Sequence, residues 1–292
     1  MPPQFLVIGH AVQDLTPGES AGDGAPWRLG GTVSYAALLA SRLGLRTAVF
    51  TAAAPDLPLE EALPGVEVVR IPSERSTQIR NVYQDHSRVQ YIVQQAAPIG
   101  AEALPDEFRE AEIVLLGPVT GKVDIRLGER FPRALIGVSA QGWLRELDAD
   151  GRVRPVRPER WQADSLLQPG RVLFVSDEDL PPDNVRAVLD RWSGRVEVLA
   201  FTRAERGAEV CHRGVWKHID AFPAATVDPT GAGDVFAAAF LVRYRESGDP
   251  WEATRFAACA ASFIVESEGL ANTPDRRMID ERLRAHPEIV PR

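Results

Sequence analysis

The chain has 292 residues, of which 45% are hydrophobic, with 33 basic and 41 acidic side chains and a formal net charge of −8. A chain of this length and composition can bury a large core. Nucleic-acid binding needs clustered lysines and arginines, so this acidic chain with scattered arginines is not expected to bind nucleic acid.

The first ten residues, MPPQFLVIGH, lack a basic segment followed by a long apolar one, and they predict a strand rather than a signal peptide. No run of about 18 apolar residues occurs, so the sequence predicts neither a membrane span nor a membrane partner. Cys211 and Cys259 are far apart and form no CxxC pair. This argues against a disulfide or a zinc site and favours a cytoplasmic protein.

Short apolar runs without clean alternation recur along the chain, which is typical of strands buried on both faces of a sheet. These runs are 5–9, 47–51, 113–117, 134–138, 171–176 and 196–202. Helical patterns lie between several of them, at 32–44 with a terminal glycine and at 181–194 with prolines near its start. The alternation of strands and helices predicts an α/β fold with a mostly parallel central sheet.

Two segments depart from this alternation. Residues 76–98 carry Val89, Tyr91 and Val93 in alternation after a polar QDHS turn, which predicts a β-hairpin with one apolar and one wet face. We interpret it as a small lid, with a plain edge hairpin as the equal alternative. Residues 14–31 are rich in glycine and proline and predict a long loop of the kind that is often functional.

The sequence DPTGAGDVF at 228–236 carries the strongest functional signal. Gly231 and Gly233 leave the backbone unobstructed just before an apolar run that predicts a helix buried nearly all round. The free N–H groups and dipole of that helix predict an anion site. Asp234 lies at the same terminus, where we expect an ionised carboxylate able to accept a proton. An anion site beside a base is what phosphoryl transfer to a hydroxyl requires. For a short GxGD pattern alone, a plain turn with a helix-capping acid is the favoured alternative.

The longer segment DPTGAGDVFAAAF resembles the C-terminal signature of the ribokinase/PfkB family of carbohydrate kinases, Asp-Thr-(Thr or Val)-Gly-Ala-Gly-Asp before a buried helix. Six of the seven positions agree, and Pro229 replaces the usual threonine. Other segments resemble the family pattern in the same order: GHAVQDLTPG, LGGTVSYAALLASRLG, FTRAERGAEV and AACAASFIVESEGLANTP. The resemblance implies one kinase domain over 1–292. Its fold would be a ribokinase-like three-layer α/β sandwich, with a mostly parallel central sheet and a small β lid from segments near 10–28 and 76–98.

The resemblance also implies roles for individual residues. Asp234 would be the catalytic base, and the N–H groups of Gly231, Ala232 and Gly233 would form the anion hole. The acceptor would be bound by Asp14, Gly30 and Gly31. By position, Asn81 on the hairpin is expected to reach the acceptor, and Gln141 after a strand either faces the cleft or lies in a solvated loop.

The implied cofactors are ATP and Mg²⁺. The nucleotide site would be lined by Thr202, Gly207, Thr230, Ala258 and Gly269. Asp179 would act indirectly on magnesium, in an SDED segment that stands where the family has Asn-x-x-Glu, with Ser176 in place of the asparagine. Asp228, with carbonyls near Ser267, Gly269 and Thr273, lies where some family members bind a monovalent cation such as K⁺.

These features predict an ATP-dependent phosphotransferase acting on a hydroxyl of a small sugar, polyol or cyclitol. Val12 and Tyr35 stand where ribokinases carry asparagines, and the hairpin is more similar to inositol-kinase-like members, which favours myo-inositol.

Three other functions are considered as alternatives to this kinase. A nucleoside kinase would need an aromatic wall, which Trp27, Tyr35 and Tyr91 keep open. A non-catalytic sugar or nucleotide sensor is argued against by the intact Asp234. A Rossmann oxidoreductase is not supported, because no GxGxxG follows the first strand. An open lid edge would favour a homodimer.

Overall fold

The computed structural model describes residues 1–15, 26–84, 87–161 and 163–292. Its strands are β1 (Phe5–Ile8), β2 (Val12–Leu15), β3 (Trp27–Gly30), β4 (Thr47–Ala53), β5 (Val66–Pro72), β6 (Thr77–Gln84), β7 (Ser87–Gln94), β8 (Ile113–Leu116), β9 (Leu135–Ser139), β10 (Arg145–Leu147), β11 (Val153–Pro155), β12 (Arg171–Ser176), β13 (Val198–Thr202), β14 (Ala208–His212) and β15 (Val215–Ile219). Its α-helices are α1 (Thr32–Arg42), α2 (Leu59–Ala62), α3 (Val185–Ser193), α4 (Ala232–Ser247), α5 (Pro250–Ile264) and α6 (Arg276–Ala285).

The central sheet has nine strands in the order β15-β14-β13-β12-β9-β8-β1-β4-β5. The seven strands from β13 to β5 are parallel, and β14 and β15 add an antiparallel edge. All six strands predicted from apolar runs lie in the parallel part. The sequence did not predict β5, because this edge strand is only half-buried and its sequence mixes apolar and charged residues.

Helices and irregular segments cover both faces of this sheet. Phe5 and Val7 of β1 pack toward α1, α4, α5 and α6, whereas Leu6 and Ile8 pack toward α3 and the segments around it. In α4, eight consecutive residues from Val235 to Val242 are buried. The predicted three-layer α/β sandwich and the helix buried nearly all round are confirmed. In the described part of the chain, no helix is both long and apolar enough to cross a membrane.

A second sheet of four strands has the order β3-β2-β6-β7, and both predicted lid segments contribute strands to it. The prediction of a continuous loop over 14–31 was wrong at its ends, since Asp14 and Leu15 belong to β2 and residues 27–30 form β3. These strands are short and carry polar residues, so backbone pairing rather than an apolar pattern defines them. The rest of the predicted loop, 16–25, lies outside the described residues.

The hairpin predicted within 76–98 is present as β6 and β7, but its buried face is not the one that the apolar alternation indicated. Ile79 and Ile92 pack with Val12 in a small apolar cluster, whereas the Val93 side chain is 37% exposed. The pairing register of β6 and β7 shifts between Gln78 and Ile79. The alternation of side chains between the two faces of β7 is therefore interrupted near the end of the strand. In β7, apolar residues occur at both odd and even positions, so the sequence alone does not indicate which face is buried. The pairing with the neighbouring strands decides it.

An additional hairpin, β10–β11, packs against the outer edge of β7. The Ile92 N–H donates to the Gly151 carbonyl at 2.9 Å, and Tyr91 forms an antiparallel bridge with Arg152. This contact covers part of one edge of the lid sheet, and β3 forms the opposite edge. The expectation of a homodimer depends on an open edge of the lid sheet. Part of that edge is covered by another segment of the same chain.

Candidate active site

The carboxyl ends of the parallel strands meet at one edge of the central sheet. Gln141 begins the turn after β9, Asp179 lies in the turn after β12, and Thr202 ends β13. Open α/β sheets bind ligands at this edge. The first residue of α1 lies at this edge, because a β-carbon on Gly117, just after β8, would lie 2.2 Å from Thr32 Cγ2. Helix α1 also contacts α4 and the lid strand β3.

The turn at 228–231 is held by local hydrogen bonds and by a glycine in the left-handed backbone region. The Thr230 N–H donates to Asp228 Oδ1 at 2.9 Å, and Gly231 is the N-cap of α4 with φ 82°. The Ala232 N–H donates to the Pro229 carbonyl at 3.3 Å. Among the described residues, the N–H groups of Gly231 and Gly233 have no hydrogen-bond partner. Two of the three N–H groups expected in the anion hole are thus available to a ligand.

Asp234 lies in the first turn of α4 and is half-buried. Burial raises its pKa from 3.8 to about 6, and the negative charge of Asp179 acts in the same direction. The Thr32 hydroxyl and Arg145 oppose the rise. The Thr32 hydroxyl is buried, and it has no partner within normal hydrogen-bond distance among the described residues.

The direction of this shift corrects the sequence-based expectation. The helix N-terminus was expected to stabilise the anion, but loss of solvent around the Asp234 carboxylate outweighs that effect. At pH 7 the carboxylate is still mostly ionised, because its pKa lies about one unit lower. A carboxylate with a pKa near the working pH is a better proton acceptor than a fully solvated one.

Tyr35 of α1 fills the space beside the turn. A β-carbon on Gly231 would lie 2.4 Å from two ring carbons of Tyr35, whose side chain is 2% exposed. Burial raises the pKa of the Tyr35 hydroxyl far above its ordinary value, and the charges of Asp14, Asp228 and Asp234 add to the rise. Tyr35 therefore stays neutral and acts as a packing residue between the turn and the lid.

The expected acceptor residues meet at the junction of the lid and α1. A β-carbon on Gly30 would lie 1.9 Å from Asp14 Oδ2, so the missing side chain makes room for this carboxylate. Gly31, with φ 83°, is the N-cap of α1. Asp14 pairs across the lid sheet with Arg28, which donates to Glu268 at 2.6 Å. The lid is thereby tied to the segment that follows α5.

A chain of hydrogen bonds runs from the lid toward the base. The Gln90 amide donates to Asn81 Oδ1 at 2.8 Å, and Arg145 Nη2 donates to Gln90 Oε1 at 2.9 Å. Arg145 also lowers the pKa of Asp234. Sequence reasoning singled out Asn81 but missed Gln90 and Arg145. The Asp150-Gly151 pair between two short strands is a hairpin signal that could have drawn attention to this segment.

A cavity of about 380 Å³ lies between the lid, the β10–β11 hairpin and the turn after β12. We call it the arginine cavity. Its walls are Val89, Gln90, Leu144, Arg145, Arg152, Val153, Arg154, Pro155, Glu178 and Asp179. Asp179 is 7% exposed and accepts a hydrogen bond from the Ser176 N–H at 2.9 Å.

The residues expected at the nucleotide site are spread over several elements. A β-carbon on Gly207 would lie 1.9 Å from the Ile219 carbonyl, so this glycine is required by the packing of β15 against the turn. Ala258 is buried in α5, and Gly269 has φ 60° in the segment after it. Thr230 and Gln141 are half-buried, and no described contact connects Gln141 to Asp234.

The expected monovalent-cation site has mixed support from its geometry. The Ser267 hydroxyl is buried without a partner among the described residues. The Thr273 carbonyl, however, accepts a hydrogen bond from the Arg42 guanidinium, which already supplies positive charge there. Among the described residues, no group of three His, Cys, Asp or Glu side chains could hold a metal ion.

The sequence of this chain matches a known family and a curated relative. A family model for pfkB family carbohydrate kinases matches residues 173–276, which include Asp179 and Asp234. A nucleoside kinase of Methanothermobacter thermautotrophicus is 30% identical over 261 residues, covering 84% of this chain and 81% of that protein.

Solved structures are similar over nearly the whole chain. A pyrophosphate-dependent kinase in the ribokinase family, complexed with a pyrophosphate analog and myo-inositol, matches with a TM-score of 0.77 at 25% identity, covering 95% of this chain and 99% of that one. Arabidopsis thaliana ribokinase, complexed with ribose and ATP, matches with a TM-score of 0.73 at 22% identity, covering 97% and 99%. At 22% identity, the similarity to the Arabidopsis ribokinase supports a shared fold and no more.

Proposed function

Because this chain belongs to the ribokinase/PfkB family of carbohydrate kinases, we propose that it phosphorylates a hydroxyl of a small sugar, polyol or cyclitol with Asp234 as base. The observation that carries the proposal is the position of Asp234. Its carboxylate has a pKa of about 6 and lies in the same helical turn as two N–H groups without a partner among the described residues.

The chemistry assigned to these residues follows from charge. Asp234 takes the proton from the acceptor hydroxyl as the hydroxyl oxygen attacks the terminal phosphorus of the donor, whose bond to the remaining phosphate chain breaks as the new bond forms. The N–H groups of Gly231 and Gly233, with the α4 dipole, stabilise the negative charge on the transferred group. The lid sheet excludes water, which would otherwise compete as an acceptor.

The donor that the family implies is ATP with Mg²⁺, which supplies the phosphoryl group. Asp179 would act on the magnesium indirectly, as a carboxylate beside the bound ion. Thr202, Thr230 and Gly269 would line the nucleotide site. Potassium at Asp228 is left out of the proposal, because the Arg42 guanidinium is bound to the Thr273 carbonyl.

Among acceptors, we favour a cyclitol such as myo-inositol, which is present in the complex of the 25% identical structural relative. Asp14, held beside Gly30, would accept hydrogen bonds from its hydroxyl groups. A nucleoside is the second candidate, supported by the nucleoside kinase that is 30% identical over most of this chain. Stacking of a nucleobase has less support, because Tyr35 is packed against Gly231 and Tyr91 lies under the Arg80 guanidinium at 5.2 Å.

The experiment is an acceptor panel of sugars, cyclitols and nucleosides, with ATP or pyrophosphate as donor and Mg²⁺ present. The variants are Asp234→Asn and Asp275→Asn, the latter at the N-cap of α6. One acceptor should be phosphorylated, and kcat should fall about 10²- to 10⁴-fold in Asp234→Asn. Asp275→Asn should keep its kcat, because it changes a helix-terminal acid that lies outside the site. Turnover that survives in Asp234→Asn would refute the assigned base.

A further inference from the structure

The hydroxyl of Thr32 is buried at the start of α1 without a hydrogen bond. The side chain is 1% exposed, and its Oγ1 has no hydrogen-bond partner among the described residues. Most other buried threonines do have one: Thr47, Thr51, Thr77, Thr254 and Thr273. A buried hydroxyl without a hydrogen bond is unfavourable, so such a group in a folded protein calls for a structural or functional explanation.

The position of this hydroxyl is fixed by packing. A β-carbon on Gly117 would lie 2.2 Å from Thr32 Cγ2, so the threonine methyl group fills the space that Gly117 leaves open. Threonine is β-branched, and few side-chain rotamers are open to it in a helix. The turn that carries it is also held, because Ser34 Oγ donates to the Gly30 carbonyl at 2.8 Å and the Ser34 N–H donates to the Gly31 carbonyl at 3.0 Å. The methyl contact therefore fixes the direction in which Oγ1 points.

The packing of α1 on α4 brings this hydroxyl toward the base. Tyr35, one turn after Thr32, packs against Gly231, and Asp234 lies one turn after Gly231. Residues three positions apart lie on the same side of a helix, so Thr32 and Asp234 belong to the two helix faces that meet. In agreement with this placement, the Thr32 hydroxyl lowers the pKa of Asp234 and is the largest influence that opposes burial there. A hydrogen-bond donor has this effect when it acts on the ionised carboxylate.

We propose that Thr32 is a positioning residue for the base: its hydroxyl donates a hydrogen bond to one carboxylate oxygen of Asp234 and leaves the other oxygen to the acceptor hydroxyl. This inference rests on the proposed kinase function. In this structure Thr32 Oγ1 forms no hydrogen bond of normal length with a described residue. Catalytic hydrogen bonds often shorten only when the substrate binds, so the contact closes in the complex with the acceptor. It keeps the carboxylate ionised and turned toward the proton that it takes.

Other groups near Asp234 act on it through charge. Arg145 lowers its pKa and Asp179 raises it, and both line the arginine cavity. The charged and titratable groups that act on Asp234 or on the neighbouring Tyr35 are Arg145, Asp179, Asp14, Asp228 and Arg28. A substitution at Thr32 removes none of them. A change in the pKa of Asp234 that depends on the hydroxyl at this position would therefore report the proposed bond.

The test compares Thr32→Val, which keeps the shape of the side chain and removes the hydroxyl, with Thr32→Ser, which keeps the hydroxyl. The matched control is Thr254→Val, at a buried threonine of α5 whose hydroxyl donates to the Pro250 carbonyl at 2.7 Å. The pH dependence of kcat and kcat/KM is measured for each variant. Thr32→Val should lower kcat about tenfold and move the acidic limb of kcat/KM about one pH unit higher, as expected for loss of a hydrogen bond to a charged group. Thr32→Ser and Thr254→Val should both stay close to the wild type.

A second measurement needs no turnover. The pKa of Asp234 is read by NMR from its carboxyl carbon, whose signal is assigned by its absence in Asp234→Asn. Thr32→Val should raise this pKa, and Thr32→Ser should not. An unchanged pKa or an unchanged acidic limb in Thr32→Val overturns the proposal. So does a Thr32→Ser variant that behaves like Thr32→Val, because the methyl contact would then position the base. If the wild type phosphorylates no acceptor, the kinase function is refuted, and the titration still decides whether the hydroxyl acts on Asp234.

Discussion

The ring of Tyr35 occupies the position that a side chain on Gly231 would need, since a β-carbon there would lie 2.4 Å from Cδ1 and Cε1. Gly231 also has φ 82°, a backbone conformation that residues with a β-carbon adopt only at a cost. The turn before α4 is therefore fixed by two residues that are almost two hundred positions apart.

Replacement of Gly231 by alanine should displace the turn and lower both stability and kcat. Gly248→Ala is the matched control, because Gly248 has φ 68° at the other end of α4 and no atom within 4 Å of its β-carbon position. The control should lose about 1 kcal/mol of unfolding free energy from backbone strain alone. Gly231→Ala should lose clearly more, as urea unfolding would measure. Equal losses would mean that Tyr35 yields to the added methyl group.

The rate of phosphoryl transfer should depend on a group with a pKa of about 6. Burial raises the pKa of Asp234 to this value, and only the ionised form accepts a proton. We expect kcat/KM to fall as the pH is lowered through 6, to about a tenth of its plateau at pH 5. A rate that stays flat down to pH 4.5 would contradict the assignment of Asp234. The residual activity of Asp234→Asn should lack this dependence.

The same group predicts a pH-dependent stability. The folded-state pKa of Asp234 is raised above its ordinary value of 3.8, so the folded protein binds more protons between about pH 4 and 6. The free energy of unfolding contributed by this group is therefore highest below pH 4 and is lost as the pH rises through 6. Asp234→Asn should be more stable than the wild type at pH 7, on the order of 2 kcal/mol, and not at pH 4. Thermal melts at both pH values would measure the difference.

Sequence reasoning predicted the central sheet well because its strands are continuous apolar runs. The runs at 113–117 and 196–202 contain β8 and β13, whose residues are nearly all buried, and short apolar runs of this kind are typical of central strands. The turn at 228–236 was equally predictable, since glycines before a wholly apolar helix leave few other structures. Both signals are local in sequence.

The contacts that shape the site are not local, and the sequence did not predict them. Arg145 meets Gln90 across 55 positions, and neither residue belongs to a recognisable motif. The direction of the Asp234 pKa shift was also missed, because it is set mainly by burial in the folded chain, which the local sequence does not reveal. The buried face of β7 was predicted wrongly, because both the odd and the even positions of this strand carry apolar residues.

Gly30 offers a test of the acceptor site that leaves the fold nearly intact. A β-carbon there would lie 1.9 Å from Asp14 Oδ2, the end of a side chain that can rotate away. Gly30→Ala should therefore raise the acceptor KM, about tenfold for loss of a hydrogen bond to a charged group, while the melting temperature changes little. Gly194→Ala is the control, because its β-carbon would have no neighbour closer than 3.8 Å. An unchanged KM would mean that Asp14 does not bind the acceptor.

The β10–β11 hairpin packs on β7 through Gly151 and Arg152, so the outermost lid strand is joined to a segment about sixty positions further along the chain. The lid is therefore not an exchangeable module. A chimera that takes residues 76–98 from a relative with a different acceptor would pair a foreign β7 with this chain's own hairpin. Specificity can be transplanted only if residues 145–155 move with the lid, and relatives should be compared over both segments at once.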